Sequence, residues 1–142
     1  VALRGEPRSQ WIARRGGEAP STVGADATAQ PYNINADDAA RAIAVAMKAE
    51  KIIYLTATPG LLQKPDDSTT LVHRLSAAEA RERIADESVT GGMIPKLMAC
   101  AEAVEGGVGS AHMIDGRAEH AILVELFTDE GVGTMVTADE LP

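Results

Sequence analysis

The chain has 142 residues, enough for one domain with a sizeable core, and its 45% hydrophobic and 24% charged content is typical of a soluble globular protein. Its net charge of −8 argues against non-specific binding to nucleic acid or anionic membranes, although local groups can still bind a phosphate. No apolar run approaches the ~18 residues of a membrane span, no secretory signal is visible, and the single Cys100 suits a reducing cytoplasm.

Residues 1–30 differ from the rest of the chain. They show neither helical nor strand periodicity and are rich in Gly, Ser, Ala and Arg, so we expect them to be poorly ordered. Their arginines and Trp11 are most simply explained as a solvated tail, not a nucleic-acid arm. The first residue is Val1 and not Met, which indicates a fragment or a processed product. The predicted division is a segment 1–30 and a folded unit 31–142.

The first part of this folded unit is predicted to run helix, strand, loop, strand. Asn35 is a good N-cap residue, and apolar residues recur after it on one helical face. The β-rich run 51–56 predicts a strand, which Pro59 and Gly60 break. A polar loop then leads to a short strand within 71–75.

The second part alternates helices with short strands. Ser76 and Glu79 form a capping-box pattern at the start of one helix. Another helix begins at Met93 with one apolar stripe, and a glycine pair ends it. The remaining expected elements are a strand over 110–115, a helix over 118–127 with Ala118, Ile122, Leu123 and Leu126 inward, and a strand over 131–137. The alternation indicates an α/β fold with a mainly parallel sheet and helices outside.

Lys96, in the first turn of the Met93 helix, raises the question of a nearby anion. A helix start carries partial positive charge, so a lysine there is mildly unfavourable unless something negative lies close. Backbone N–H groups at a helix start bind anions, glycines such as Gly91 let a ligand approach, and phosphoryl transfer needs such a positive environment. From these residues alone, the simpler interpretation is a surface lysine, since the spacing is not that of a P-loop.

Two other segments are expected to meet this helix start at the carboxyl ends of the strands, where ligands gather in α/β sheets. One is the turn 56–60. The other holds Asn33, Asn35 and Asp37, whose amides suit a carboxylate substrate and whose acid suits a lysine partner. Simple helix capping also explains this second segment, and the adjacent acids at 37–38 are weak support for Mg²⁺.

The histidines and the cysteine predict no metal site. His73, His112 and His120 have no metal-ligand spacing with Cys100, so each histidine is expected at the surface or in packing. Cys100 lies mid-helix, where a buried, inert thiol is expected.

Four segments together resemble the acetylglutamate kinases of the amino-acid kinase family. They are "YNINADDAARAIA", "LTATPGL", "GGMIPKLMACAEAVEGGV" and "AHMIDGRAEHAILVELFTDEGVGTMV", and the likeness runs over 32–136. The resemblance implies the carboxyl-terminal, nucleotide-binding half of a three-layer α/β/α sandwich with a mainly parallel central sheet. The amino-terminal half, with a second catalytic lysine, a glycine-rich phosphate loop and most of the substrate pocket, is not recognisable. We therefore expect a truncated domain that is inactive alone.

The same resemblance implies a reaction and roles for the candidate residues. ATP, with Mg²⁺ bound mainly through it, would phosphorylate the side-chain carboxylate of N-acetyl-L-glutamate in cytoplasmic arginine biosynthesis, and the full-length protein would be a homo-oligomer. Lys96 would stabilise the transferring phosphoryl group, Asp37 would organise the catalytic lysines, and Asn33 with Asn35 would bind substrate. The implied nucleotide-binding residues are Thr56, Ala57, Thr58, Gly60, Leu61, Ser88, Val89, Thr90 and Met93.

A regulatory function is the second implied interpretation. His112, Glu125 and Gly131 match the feedback site of arginine-inhibited members, where a carboxylate would pair with the effector's guanidinium; the ordinary alternative for Glu125 is a solvated helix residue. Ala57 stands where the family usually has Asp, which favours a non-catalytic, arginine-sensing domain like those of N-acetylglutamate synthases. A third interpretation is an unstable gene fragment with an open sheet edge and an uncovered apolar face.

Overall fold

The computed structural model describes residues 23–25, 28–64, 67–128 and 131–138. Within these ranges, no helix combines the length and the apolar character that crossing a bilayer requires. The elements in chain order are β1 (Val23–Ala25), β2 (Pro31–Asn33), α1 (Ala36–Met47), β3 (Lys51–Thr56), a 3₁₀ turn (Ser68–Thr70), β4 (Arg74–Ser76), α2 (Ala77–Ala85), α3 (Met93–Glu105), β5 (Ser110–Asp115), α4 (Ala121–Phe127) and β6 (Thr134–Thr137).

The central sheet has the strand order β3-β5-β6-β4. β3 pairs with β5 in parallel, from Lys51 opposite Ser110 to Thr56 opposite Asp115, and β4 pairs with β6 in parallel. The two parallel pairs are joined by an antiparallel pairing of β5 with β6. The expectation of a mainly parallel sheet is therefore confirmed.

Helices lie on both faces of this sheet, which confirms the α/β/α class. α3 packs against α1, α2, β5 and β6, whereas α4 contacts β5. Because side chains alternate along a strand, Ala111 and Met113 of β5 enter the core under α3. His112, between them, faces the opposite side and meets Glu125 of α4.

Small residues allow the close packing of α3. Leu97, Cys100 and Val104 are buried together with the alanines of the same helix, so a core with few aromatic side chains still closes. Burial raises the pKa of the Cys100 thiol to about 12, with the Asp37 carboxylate adding to this. The expectation of a buried thiol is confirmed, and its raised pKa is consistent with low reactivity.

The prediction for the helix 118–127 is wrong in its start and in its inward face. The helix begins at Ala121 because His120, at φ 59°, adopts the left-handed conformation and cannot continue it. The buried residues are Ala121 and Glu125. This face of the helix is turned inward because Glu125 pairs with His112 of β5. A prediction based on the spacing of apolar residues cannot anticipate a buried carboxylate. The residues expected to face inward are exposed: Ala118, Ile122, Leu123 and Leu126.

Two strand boundaries also differ from expectation. Val23–Ala25 pairs with Pro31–Asn33 as an antiparallel hairpin, although no strand was expected before residue 31. The remainder of the predicted poorly ordered segment, apart from residues 28–30, lies outside the described residues. The last strand begins at Thr134 and not at 131, because the preceding loop turns to donate the Val132 N–H to Glu125.

Candidate active site

The anion beside Lys96 is Asp37. The Lys96 Nζ lies 2.9 Å from the Asp37 Oδ2, and both side chains are partly buried, at 29% and 23% exposure. Lys96 stands in the first turn of α3 and Asp37 in the first turn of α1, so the pair joins the amino-terminal ends of two helices. Each helix end carries partial positive charge, which Asp37 offsets.

Hydrogen bonds to the backbone hold Asp37 in place. The Asn35 Oδ1 caps α1 by accepting from the Asp37 N–H at 2.8 Å and the Asp38 N–H at 3.4 Å. The Tyr54 hydroxyl, at the end of a core side chain from β3, donates to the Asp37 main-chain carbonyl at 3.4 Å. The predicted capping by Asn35 and the predicted aspartate–lysine contact therefore exist together.

The start of α3 is open to a ligand. Gly92 is the N-cap residue, and among the described residues no side chain caps this end. Gly91 has φ 60°, a conformation that favours glycine, and a Cβ at either glycine would meet nothing within 4 Å. The first-turn N–H groups and the Lys96 amine therefore form a positive surface.

A cavity of about 390 Å³ lies next to this surface. Its walls come from the turn after β3, the residues before α3 and the first turn of α3, namely Thr56, Ala57, Thr58, Gly60, Leu61, Leu62, Ser88, Val89, Thr90, Gly92, Met93 and Lys96. The cavity is mostly apolar, with Lys96 as its charged side chain among the described residues. Such a cavity suits a ligand with a flat apolar part and an anionic end.

Threonine side chains shape the turn after β3. The Thr56 Oγ1 donates to the Thr58 carbonyl at 2.5 Å and accepts from the Thr58 N–H at 3.1 Å. Between them Ala57 is exposed, and its side chain brings no polar group to the cavity wall.

The structure brings together the three segments that the sequence predicts to converge. All of the predicted nucleotide-binding residues line the cavity, and their nucleotide-binding role stays a prediction. Leu62 and Gly92 also line it; they lie within the stretches 56–62 and 91–96 that the sequence singles out, although neither was named as a nucleotide-binding residue. Asn33 and Asn35 are exposed and lie outside these walls.

The predicted effector residues form a second cluster on the opposite face of the sheet. The His112 Nδ1 lies 2.6 Å from the Glu125 Oε1, and the other ring nitrogen lies 2.8 Å from the Ser110 Oγ. The Glu125 Oε2 accepts the Val132 N–H at 2.7 Å, and a Cβ on Gly131 would stand 3.0 Å from the same oxygen.

Glu125 is buried, and its charge is compensated. Burial acts to raise its pKa, but the Val132 N–H and the His112 imidazole outweigh it and hold the pKa below the ordinary value. The interpretation of Glu125 as a solvated helix residue is therefore wrong, because its side chain is 5% exposed.

A cavity of about 170 Å³ opens at this cluster. His112, Glu125 and Gly131 line it as predicted, and the residues that sequence reasoning missed are Lys51, His73, Arg74, Thr128, Gly133 and Met135. Lys51 and Arg74 are the first residues of β3 and β4, so strand alternation was the signal that places them on this face. The cavity thus combines a buried carboxylate with basic side chains.

Side chains that could bind a metal ion do not cluster in the described part of the chain. Over the ranges that the structure describes, no group of three or more His, Cys, Asp or Glu side chains is placed to hold a metal ion. A metal ion that binds in the first cavity would need ligands from the molecule bound there.

Comparisons with known proteins identify the relatives of this chain. The model of the amino acid kinase family matches residues 16–115. The chain is 54% identical over 125 residues to the acetylglutamate kinase of Acaryochloris marina and 52% identical over 118 residues to that of Syntrophomonas wolfei. These matches cover 87% and 83% of this chain but 44% and 40% of the relatives. The chain therefore spans about two fifths of the length of the curated relatives that it matches.

Solved structures show the same fold. The N-acetylglutamate synthase of Neisseria gonorrhoeae, complexed with coenzyme A and L-arginine, superposes with a TM-score of 0.80 at 30% identity. The superposition covers 92% of this chain and 30% of the synthase chain. The carbamate kinase of Giardia lamblia superposes at 0.59 with 18% identity, over 82% of this chain and 37% of that one, which supports the fold alone.

Proposed function

This chain belongs to the amino acid kinase family, and we propose that it supplies the nucleotide-binding part of an enzyme that phosphorylates the side-chain carboxylate of N-acetyl-L-glutamate with ATP. The observation that carries the proposal is the Lys96–Asp37 pair, held at 2.9 Å beside a cavity of suitable size for a nucleotide. Identity above 50% to acetylglutamate kinases supports this substrate and a place in arginine biosynthesis. The proposed setting is the cytoplasm, and the proposed full-length protein is a homo-oligomer.

The chemistry assigned to this part is positioning and charge stabilisation. A carboxylate oxygen of the substrate attacks the γ-phosphorus of ATP, the bond to the β–γ bridging oxygen breaks, and ADP leaves with that electron pair as an acyl phosphate forms. Charge spreads over the equatorial oxygens of the transferring group. The Lys96 amine and the first-turn N–H groups of α3 face this charge, while Asp37 fixes the direction of the amine.

The remaining ligands follow from the same cavity. The purine is proposed to lie against the apolar walls formed by residues such as Leu61, Val89 and Met93, and Ala57 leaves that wall uncharged. Mg²⁺ is proposed to be held by the ATP phosphates, where it would neutralise charge. Asn33 and Asn35, next to Asp37 in the chain, are proposed to meet the acyl-amino acid.

Titration of the pure chain with MgATP tests this proposal. We expect saturable binding, followed by no ADP release when N-acetyl-L-glutamate is added, because the chain spans only about two fifths of its catalytic relatives. The measurements are isothermal calorimetry and a coupled ADP assay. Absence of MgATP binding would refute the nucleotide site. Turnover that depends on N-acetyl-L-glutamate would refute the expectation that catalysis needs residues outside this chain.

The second candidate function is arginine sensing, with or without catalysis. The favouring observation is the buried Glu125 carboxylate in a cavity that basic side chains also line, since an amino acid with a cationic side chain presents both complementary charges. An arginine complex of a synthase with the same fold supports it.

Arginine binding to this cavity is the matching prediction. We expect calorimetry to detect L-arginine binding in the wild-type chain and a loss of at least about tenfold in affinity for Glu125→Gln, because a charge-assisted hydrogen bond is worth about 1.5–3 kcal/mol. L-Citrulline, which lacks the positive charge, serves as the control ligand. Equal affinity for arginine and citrulline would contradict the assigned role of Glu125.

A further inference from the structure

Thr134 is a buried polar residue to which neither the sequence patterns nor the proposed chemistry assigns a role. It is the first residue of β6, it is 0% exposed, and it lies directly behind the cavity wall. Its Oγ1 accepts the Leu61 N–H at 2.8 Å and donates to the Val72 carbonyl at 2.7 Å. A hydroxyl has one donor and can accept at the same time, so both functions are used.

These bonds close a ring around the backbone of Leu61. The Val72 N–H donates to the Leu61 carbonyl at 2.8 Å, so Thr134 and Val72 hold both polar groups of Leu61. The next residue, Leu62, forms an isolated bridge with Leu71. The second half of the turn after β3 is therefore tied to the strand region behind it.

The fit between this turn and Thr134 is tight. A Cβ built on Gly60 would lie 2.5 Å from the Thr134 Oγ1 and 3.1 Å from the Thr134 backbone nitrogen, so only glycine lets the turn reach the hydroxyl. Gly60 and Leu61 both line the 390 Å³ cavity, whereas Thr134 does not. The hydroxyl acts on the cavity through the backbone of these two residues.

We infer that Thr134 is a positioning residue, which fixes the Gly60–Leu61 wall against which the nucleotide binds. The inference rests on the proposed nucleotide site. Valine has nearly the shape of threonine but cannot form either hydrogen bond, so it leaves the Leu61 N–H and the Val72 carbonyl buried and unpaired. Serine keeps the hydroxyl and loses only a methyl group.

Calorimetric titration with MgATP of four versions of the 142-residue chain tests the inference: wild type, Thr134→Val, Thr134→Ser and Val136→Ala. Val136, two residues further along β6, lies on the same face of the sheet and is also 0% exposed, but its apolar side chain packs in the hydrophobic core and makes no hydrogen bond to the turn, so its variant reports the effect of destabilising the strand. We expect the dissociation constant to rise about tenfold for Thr134→Val and to change less than about twofold for the other two. Amide hydrogen exchange at Leu61 should accelerate in Thr134→Val alone.

Four other results of these titrations would overturn the inference. Wild-type-like affinity in Thr134→Val would overturn the positioning role while leaving the nucleotide site intact, and an equal loss in Val136→Ala would reduce Thr134 to a structural residue. If the wild type does not bind MgATP, the proposed function and this inference both fall. If Thr134→Val does not fold, Gly60→Ala replaces it, because its Cβ displaces the same contact; unchanged affinity there would overturn the inference.

Discussion

Replacing Lys96 with methionine is expected to weaken MgATP binding by about 10- to 100-fold and to leave ADP binding nearly unchanged. The Nζ, held 2.9 Å from Asp37, faces the end of the cavity where the terminal phosphate is proposed to lie. Loss of a hydrogen bond from a charged donor costs about 1.5–3 kcal/mol. Methionine keeps the length of the side chain and removes its charge, and calorimetry with both nucleotides measures the difference.

Lys48→Met is the matched control for this experiment. Lys48 is exposed and caps the opposite end of α1, far along the helix from Asp37, so the same change in net charge should leave both nucleotide affinities as they are. A loss of ATP and ADP affinity to the same extent in Lys96→Met would show that Lys96 does not discriminate the terminal phosphate. An unchanged ATP affinity would remove it from the site altogether.

Replacing Glu125 with glutamine is expected to destabilise the chain by about 3 kcal/mol at neutral pH, because the buried carboxylate is hydrogen-bonded to both the His112 ring and the Val132 N–H, and a neutral amide with one acceptor oxygen cannot satisfy both. For a chain of this size the melting temperature should fall by about 10 °C. The His112 and Glu125 side chains are 3% and 5% exposed, so solvent cannot replace the lost interaction. Thermal melts of both proteins measure the effect.

The pH dependence of this effect has a fixed direction. The folded-state pKa of Glu125 lies below its ordinary value of 4.5, so its carboxylate stabilises the fold fully above that value. As the pH falls through the folded-state pKa, the stabilisation is lost and the two proteins should converge. Glu119→Gln, at a side chain that is 90% exposed, should melt like the wild type at every pH. A stability difference that persists unchanged in acid would contradict the pairing.

Local signals in the sequence were sufficient for most elements and for the segments that meet at the first cavity. The caps at Asn35 and Ser76 act over three residues, so they are visible in the chain and are present in the structure. The expected contact of Asp37 with a lysine exists, because Lys96 meets it from 59 positions away, whereas the phosphate expected beside Lys96 stays a prediction. The resemblance predicted the walls of the cavity because the matching segments are those that line it.

The interactions that sequence reasoning missed depend on contacts between distant segments. The inward face of α4 is set by one carboxylate that meets His112 across the sheet, which an apolar pattern of the helix cannot reveal. The antiparallel join of β5 with β6 places Thr134 behind the turn at Leu61, 73 positions away. The residue pattern of a single strand does not determine the order of the strands in the sheet, so these contacts could be identified only from the structure.

All of the chemistry proposed for this chain requires the Lys96 amine to lie beside the terminal phosphate of a nucleotide. A crystal structure of the chain with Mg²⁺ and a non-hydrolysable ATP analogue would show where the amine and the phosphates lie. We expect the purine against the apolar walls of the 390 Å³ cavity and the Nζ within about 3 Å of a γ-phosphate oxygen, with Asp37 still in contact. A nucleotide bound elsewhere, or an amine directed into bulk solvent with the phosphates in the cavity, would contradict it.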